Sequence, residues 1–244
     1  MVYSARMIDE EPRILAETEA FLVAYKPRGM HSAPLAEGEE GTLLAWCAER
    51  CPAVLGVRGR KEVERGLLHR LDRDTAGLVL LAKTRSAYDA VLASQEAGEF
   101  LKEYGAVCRG PIPAAVAAKP VPFVVESAFR AFGPGRRAVR AVDLSAGKPS
   151  KADARELALD RGSPYSTEVM ALAEAEGGRV RAEVRLRRGF RHQVRCHLAW
   201  IGLPIIGDAL YGDGGDEPLA LSATALAFPD PESGRPLRYA WTAS

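Results

Sequence analysis

The segment His69-Arg70-Leu71-Asp72-Arg73-Asp74-Thr75-Ala76-Gly77 concentrates acidic, basic and imidazole side chains in a short stretch. Asp72 stands between two arginines, which favour its ionised form and so a carboxylate that can act as a nucleophile. An ordinary polar turn, in which Asp74 or Thr75 caps the chain, would use the same residue types. The residues of this segment by themselves leave both interpretations open.

Two apolar runs are placed to position this segment. Leu78 to Ala82 follows it directly, and a run this short and continuous predicts a buried central strand. Residues 20–25 predict a second strand, which ends at the turn signal Lys26-Pro27-Arg28-Gly29. Further elements are expected as strands at 14–15 and 104–108, and as helices at 43–48, capped by Thr42, and at 86–96.

Residues 179–187 alternate, with apolar side chains at the even positions 180–186 and charged side chains at the odd ones. This period of two predicts a strand with one buried face and one face that presents arginines to solvent or to a ligand. The period then changes, because apolar residues from Val194 to Ile201 recur at helical spacing, in a helix that begins near His192. Short strands with few helices indicate an α+β domain.

The composition is that of a globular protein, since 47% of the 244 residues are hydrophobic and the net charge is +1. These values exclude a mainly disordered chain, and no apolar run approaches the length of a membrane span. Residues 1–13 predict a polar tail, so we expect a single domain over 14–244. The scattered cysteines favour buried thiols in a reducing cytoplasm over a disulfide framework. They are Cys47, Cys51, Cys108 and Cys196.

Basic residues are segregated along the chain although the totals nearly balance, with 33 Lys and Arg against 32 Asp and Glu. Arginine clusters lie at 58–73, at 130–140 and at 179–195, while acidic residues gather elsewhere. This segregation fits a basic face that binds a phosphate-rich ligand. Solvated arginine surfaces are the alternative.

His69-Arg70-Leu71-Asp72, followed by Thr75-Ala76-Gly77, resembles the HRLDxxTSG signature of a pseudouridine synthase family that modifies ribosomal and transfer RNA. Further blocks resemble the same family in the same order. They lie at 14–29, 102–106, 189–198, 202–212 and 221–229. The resemblance therefore covers nearly the whole chain from about Ile14 onward.

The resemblance implies an α+β fold with a central, largely antiparallel mixed sheet, flanking helices and a catalytic cleft. It implies that specific uridines in structured ribosomal or transfer RNA are isomerised to pseudouridine without a metal or organic cofactor. The base is detached from carbon 1′ of its ribose, rotated and rejoined through carbon 5. Asp72 matches the family's catalytic aspartate, Tyr104 its active-site tyrosine, and Arg195 the basic residue that pairs with the aspartate. We expect these three side chains to line the cleft together, with Asp72 and Arg195 in ion-pair contact.

The implied partner is RNA, bound by a monomer that does not associate with a membrane. The target nucleotide must be flipped out of its stack, and Arg70 is expected to brace the vacated space or to bind phosphate. Tyr104 offers a ring that can stack on the flipped uracil and a hydroxyl within reach of it. RNA contacts are expected from His69, Arg70, Arg73, Arg185, Arg187, Arg191 and His192.

The chain departs from the family blocks at several positions. Ala76 replaces the serine of the signature, and Ser222 replaces the histidine of the closing block. GRTHQ has become Gly189-Phe190-Arg191-His192-Gln193, which loses an arginine at Phe190 and gains one at Arg191. These changes concern the choice of RNA more than the chemistry. The small RNA-binding module that precedes the catalytic block in many relatives is not expected here.

Two other functions are consistent with parts of the sequence. Asp72-Arg73-Asp74-Thr75 resembles the DxDxT nucleophile motif of aspartate-based phosphatases, but there an apolar strand should precede the first aspartate, and here it follows. The second alternative is a catalytically silent RNA-binding protein of the same fold. Metal sites are not expected, because neither the cysteine pair nor the histidine pair has convincing partners and the acids near Asp208 lack calcium-loop spacing.

Overall fold

The apolar runs near the N-terminus form three antiparallel strands, ordered β1 (Arg13–Glu17), β2 (Phe21–Lys26) and β3 (Ala76–Ala82). Every residue of β2 and β3 is buried, as their continuous apolar runs predict, because a strand covered on both faces has no polar side. The register places Lys26 opposite Gly77. The end of β2 therefore lies beside the start of β3, where the Asp72 segment enters the sheet.

The structure, a computed structural model, describes residues 11–36, 39–145 and 156–241. The chain divides into two compact units, one formed by residues 1–96 with 228–244 and the other by residues 97–227. None of the helices in the described ranges has the length and hydrophobicity that crossing a bilayer requires.

The first unit also contains helices α1 (Leu43–Arg50) and α2 (Arg85–Ala97) and the C-terminal strand β11 (Pro236–Ala240). Thr42 caps α1 as predicted, because its side-chain oxygen accepts the Ala45 N–H at 3.2 Å. Aromatic packing joins the N-terminal and C-terminal chain segments of this unit, because the rings of Phe21 and Phe228 meet edge to face with their centres 5.4 Å apart.

The second unit is built on an antiparallel sheet of order β10-β4-β9-β8-β5-β6, to which a short β7 adds by pairing with β5. Its strands are β4 (Leu101–Arg109), β5 (Phe123–Phe132), β6 (Ala138–Val142), β7 (Leu157–Ala158), β8 (Tyr165–Ala175), β9 (Arg179–Leu186) and β10 (Leu221–Pro229). Strand β10 belongs to this unit as far as Ala227. The described part of this unit includes the helices α3 (Ala114–Ala117) and α4 (Gln193–Trp200). The expected α+β fold with a largely antiparallel sheet is confirmed.

The sheet of the second unit has two chemically distinct faces. In β9 the even residues 180–186 are buried and the odd residues are more exposed, as the alternation predicts. Tyr104 pairs with Val184, so both side chains lie on one face, which we call the inner face. Arg185 and its cross-strand neighbour Glu103 lie on the opposite, outer face.

Helix α4 packs on the inner face through His197, whose ring nitrogens lie 2.8 Å from the hydroxyls of Ser127 on β5 and Thr167 on β8. The helix begins one residue after His192 and ends before Gly202 (φ 83°), close to the predicted limits. Val194 and Leu198, which recur at the predicted helical spacing, are both buried. Every residue from Gln193 to Leu198 is buried, because the polar side chains among them have hydrogen-bond partners inside the protein.

Candidate active site

The loop that carries Asp72 is fixed on both sides of the aspartate. The buried Ser32 hydroxyl accepts the Leu71 N–H at 3.0 Å and donates to the Leu71 carbonyl at 3.1 Å. On the other side, the Thr75 N–H donates to the Asp72 carbonyl at 3.1 Å. The Thr75 hydroxyl is buried without a hydrogen-bond partner among the described residues, so it does not cap the turn. The half-buried Asp72 carboxylate is thus presented from a constrained backbone.

Lys26, at the end of β2, is the main anchor of this loop, and its side chain is completely buried. Its ammonium has three N–H donors, which match three backbone acceptors. These are the carbonyls of Pro27, Met30 and Arg73, at 2.8, 2.8 and 2.9 Å. Burial lowers the pKa of Lys26 to about 7, although the negative charges of Asp74 and Asp72 act to raise it. Sequence reasoning placed Lys26 in a turn signal and within the family-like block at 14–29, but assigned it no role in holding the Asp72 loop.

The other predicted residues of this segment help to hold its shape. His69 accepts the Leu80 N–H at 3.2 Å through Nε2, and Arg73 donates from Nε to the Gly29 carbonyl at 3.0 Å. Arg70 forms an ion pair with Glu64 at 3.1 Å, and its side chain is 49% exposed. The structure therefore brings His69, Arg70, Asp72 and Arg73 into one loop, with both arginines open to solvent.

In the second unit, Tyr104 and Arg195 lie on different elements. Tyr104 projects from β4 on the inner face and is 8% exposed. Arg195, in α4, donates from Nε and an Nη to the two carboxylate oxygens of Asp208 at 2.8 and 2.7 Å. This bidentate geometry orients the guanidinium.

Asp208 is the buried partner of Arg195, and sequence reasoning missed this pairing because the acids near Asp208 were considered only as a calcium loop. One of its oxygens also accepts the N–H groups of Leu210 and Tyr211 at 2.9 and 3.1 Å. Burial by itself would raise the pKa of Asp208, but hydrogen bonds and charge from Arg195 outweigh it and hold the pKa below its ordinary value. Asp208 lies in the family-like block at 202–212, and that similarity was the sequence feature that could have drawn attention to it.

Arg191 and His192 lie just before α4. Arg191 is exposed and donates to the Arg136 carbonyl at 2.9 Å. His192 adopts a left-handed backbone (φ 55°), which non-glycine residues rarely accept, and its Nδ1 lies 3.1 Å from the Tyr211 hydroxyl. That hydroxyl also accepts the Val139 N–H at 2.8 Å. Backbone strain of this kind is typical of functional sites.

Phe190, which stands where the family motif has an arginine, fills an aromatic cluster. Its ring stacks on Phe129 at 5.1 Å and 10° and lies 5.0 Å from Tyr165. Phe129 in turn stacks on His197 at 4.9 Å. The arginine is thus replaced by a packing residue, while Arg191 supplies a cation one position later.

The arginines of β9 lie on the face opposite its buried apolar residues, as the alternation predicts. The register places Arg185 on the outer face, opposite the face that carries Tyr104. Side chains alternate along a strand, so residues at an odd separation from Val184 cannot share its face. Arg185 is hydrogen-bonded to Glu168 at 3.0 Å through Nε, and Arg187 lies 3.6 Å from the same carboxylate.

His197 should make the protein less stable in mild acid. Burial lowers its pKa from 6.5 to about 4, so between these values the unfolded state binds a proton that the folded state does not. The free energy of unfolding should therefore decrease as the pH is lowered. The contribution of His197 to this decrease is about 2 kcal/mol between pH 7 and pH 5. Urea unfolding at both pH values measures the difference, and His197→Gln should reduce it. An unchanged difference in the variant would contradict this assignment.

The metal-ligand residue types, the cysteines and the aspartates before β3 bear on the alternatives considered from the sequence. The described residues contain no group of three or more His, Cys, Asp or Glu side chains arranged to hold a metal ion. All four cysteines are free and buried, as predicted. The buried strand β3 begins only at Ala76, after the aspartates, so the arrangement differs from a phosphatase DxDxT motif.

Comparison with known proteins identifies the family. The chain matches the RNA pseudouridylate synthase family over residues 20–200. It is 30% identical over 204 residues to ribosomal large subunit pseudouridine synthase D of Pseudomonas aeruginosa, covering 84% of this chain and 54% of that protein. It is 30% identical over 215 residues to an uncharacterized RNA pseudouridine synthase of Chloroflexus aurantiacus, covering 86% and 59%. The chain thus spans a little over half the length of these curated relatives.

The fold of this chain is similar to those of solved structures. Human RNA pseudouridylate synthase domain containing 1 has a TM-score of 0.67 and 20% identity, with 97% of this chain and 85% of that chain covered. Human RNA pseudouridylate synthase domain containing 4 has a TM-score of 0.63 and 20% identity, with 95% and 88% covered. The family match spans both the Asp72 loop and α4, and the family that the resemblance indicated is confirmed. This chain is a member of the RNA pseudouridylate synthase family.

Proposed function

We propose that this protein isomerises uridine to pseudouridine in structured RNA, with ribosomal RNA favoured by the names of its relatives. The Asp72 loop is the observation that carries the proposal. It presents a carboxylate at the start of a fully buried strand, held by Ser32 on one side and by the buried Lys26 on the other. Such rigid support is what a catalytic group needs to keep its geometry.

In the proposed reaction, the Asp72 carboxylate attacks carbon 1′ of the ribose, or abstracts a proton from the sugar, as the bond to the base breaks. The bonding electron pair leaves with the uracil, which rotates. Carbon 5 then bonds to carbon 1′ as the ester bond to Asp72 breaks or, after proton abstraction, as Asp72 returns the proton to the sugar. The proton on carbon 5 is then lost to solvent. Carbon 1′ is therefore never left as a free cation.

Tyr104 and Arg195 complete the proposed catalytic group. Tyr104 would stack on the flipped uracil and offer its hydroxyl to the rearranging base. Arg195 would keep the catalytic carboxylate ionised and oriented, a role that suits a guanidinium already fixed by Asp208. His69, Arg70, Arg73, Arg191 and His192 would contact the RNA.

Tritium release from large-subunit ribosomal RNA labelled at carbon 5 of uridine tests the proposal directly, because only carbon–carbon bond formation at that position frees the label. We expect release at a rate proportional to enzyme concentration, and no phosphate release from a generic phosphate ester. RNA binding without tritium release, on ribosomal and transfer RNA alike, would instead indicate a silent binding protein. We further propose a monomer in the cytoplasm, which size-exclusion chromatography and cell fractionation can check.

The arginines of β9 are proposed to bind RNA phosphate from the outer face. Arg185 and Arg187 both contact the carboxylate of Glu168. Arg187 is the more available, since its side chain is 51% exposed. Arg187→Gln should lower the salt dependence of RNA affinity by about 0.7 in log–log slope, with a smaller effect for Arg185→Gln. Unchanged slopes in both variants would mean that this strand is merely solvated.

A further inference from the structure

Strands β5 and β6 form a hairpin whose exposed side is rich in arginine. We call residues 130–140 the arginine hairpin. Its register places Arg130 directly opposite Arg140 on the outer face, an arrangement that is unfavourable between like charges. No acidic residue occurs from 130 to 140, and the turn adds two exposed cations, Arg136 and Arg137. Glu156 pairs with Arg130, which leaves a net positive surface.

An exposed aromatic ring lies within this positive surface. Phe132 is 54% exposed, although it belongs to the outer face of a regular strand. The Arg140 guanidinium lies 6.0 Å from the centre of its ring. An accessible ring beside a guanidinium matches the requirements of a nucleobase, which stacks on aromatic faces while its phosphates bind cations.

The hairpin is firmly attached to the rest of the second unit. Arg191 donates to the Arg136 carbonyl, and the Tyr211 hydroxyl accepts the Val139 N–H at 2.8 Å. On its buried side, Phe129 and Val139 belong to the hydrophobic core. Because the backbone is held in this way, the exposed ring and cations form a pre-organised surface rather than a flexible tail.

We propose that the arginine hairpin binds a single-stranded segment of the RNA substrate, with a base stacked on Phe132 and phosphates on Arg136, Arg137 and Arg140. This surface lies outside the groups assigned to the chemistry, and the choice of RNA as its ligand rests on the proposed function. Single strands are favoured over duplex because a paired base has no free face to stack. An acidic protein segment would use the cations but would not require the ring.

Binding of fluorescein-labelled poly(U), compared with a poly(A)·poly(U) duplex of equal length, tests the proposal by fluorescence anisotropy. Phe132→Ala should weaken poly(U) binding roughly tenfold and duplex binding much less. Phe132→Tyr should restore affinity because it restores the ring. Arg137→Gln and Arg136→Gly should each lower the salt slope for poly(U) by about 0.7. Arg136 has a φ of 54°, a conformation that glycine adopts without steric cost, so this variant removes the cation and keeps the turn backbone.

Two variants serve as matched controls. Val124→Ala changes a residue on the same strand and face that is 50% exposed, and it should leave poly(U) affinity unchanged. Arg235→Gln removes an exposed turn arginine that already interacts with Asp230, and it should leave the salt slope unchanged. Equal losses in Phe132→Ala and Val124→Ala, equal losses for duplex and single strand, or retained affinity in Phe132→Ala would overturn the proposal.

The same variants separate this proposal from the assigned reaction. Tritium release at saturating labelled RNA should retain the wild-type maximal rate in Phe132→Ala, with only the RNA concentration for half-maximal rate increased. If the wild-type protein releases no tritium, the proposed reaction fails while the anisotropy results still decide the binding surface. If the maximal rate itself falls with the ring removed, the hairpin acts in the chemistry and the binding role is wrong.

Discussion

Replacing Asp72 by asparagine should abolish tritium release, by a factor on the order of 10⁴ or more, while RNA affinity changes little. Asparagine has nearly the same shape but cannot act as an anionic nucleophile or base. The backbone contacts that hold this loop, from Ser32 to Leu71 and from Thr75 to Asp72, do not involve the carboxylate and should persist. Single-turnover tritium release and equilibrium RNA binding, measured on the same preparations, give the two quantities.

Asp74→Asn is the matched control for this experiment. It makes the same chemical change two residues away, in the same loop, and both carboxylates act on the charge of Lys26. The control therefore reproduces the loss of charge near Lys26 without removing the proposed nucleophile. It should keep turnover within about tenfold of wild type, since Asp74 is exposed and has no assigned step. Substantial turnover in Asp72→Asn, or equal losses in both variants, would refute the assigned mechanism.

Asp208→Asn should lower the free energy of unfolding by about 3–5 kcal/mol, because it removes the buried charge that faces the Arg195 guanidinium across two hydrogen bonds. The Asp208 side chain is 0% exposed and that of Arg195 is 9% exposed. Water therefore cannot solvate the charge that remains. Urea denaturation at neutral pH measures the loss.

The pair Arg85–Asp89 provides the control, because it has the same bidentate geometry at the protein surface. Its two bonds measure 2.8 and 2.6 Å, and its side chains are 59% and 53% exposed. Asp89→Asn should cost no more than about 1 kcal/mol, because solvent replaces the lost partner. A similar cost for both substitutions would show that the burial of Arg195 is not what makes its partner important.

The sequence alone was sufficient for the family and for most of the elements. Continuous apolar runs predicted β2 and β3, and strict alternation predicted β9, since these patterns depend only on which faces are buried. The reaction class came from the resemblance of the Asp72 segment to a family signature, because its residues by themselves were equally consistent with a polar turn. The buried cysteines also followed from composition and spacing.

Only the tertiary structure decided which partners these residues have. Lys26 and Arg73 are far apart in sequence, and their hydrogen bond exists because the register brings the end of β2 beside the start of β3. The pairing of Arg195 with Asp208 likewise depends on how the loop after α4 folds back. Strand register also decided that Arg185 lies on the face opposite Tyr104. Alternation shows which residues of one strand share a face, but it does not show which residues of the neighbouring strand lie on that face.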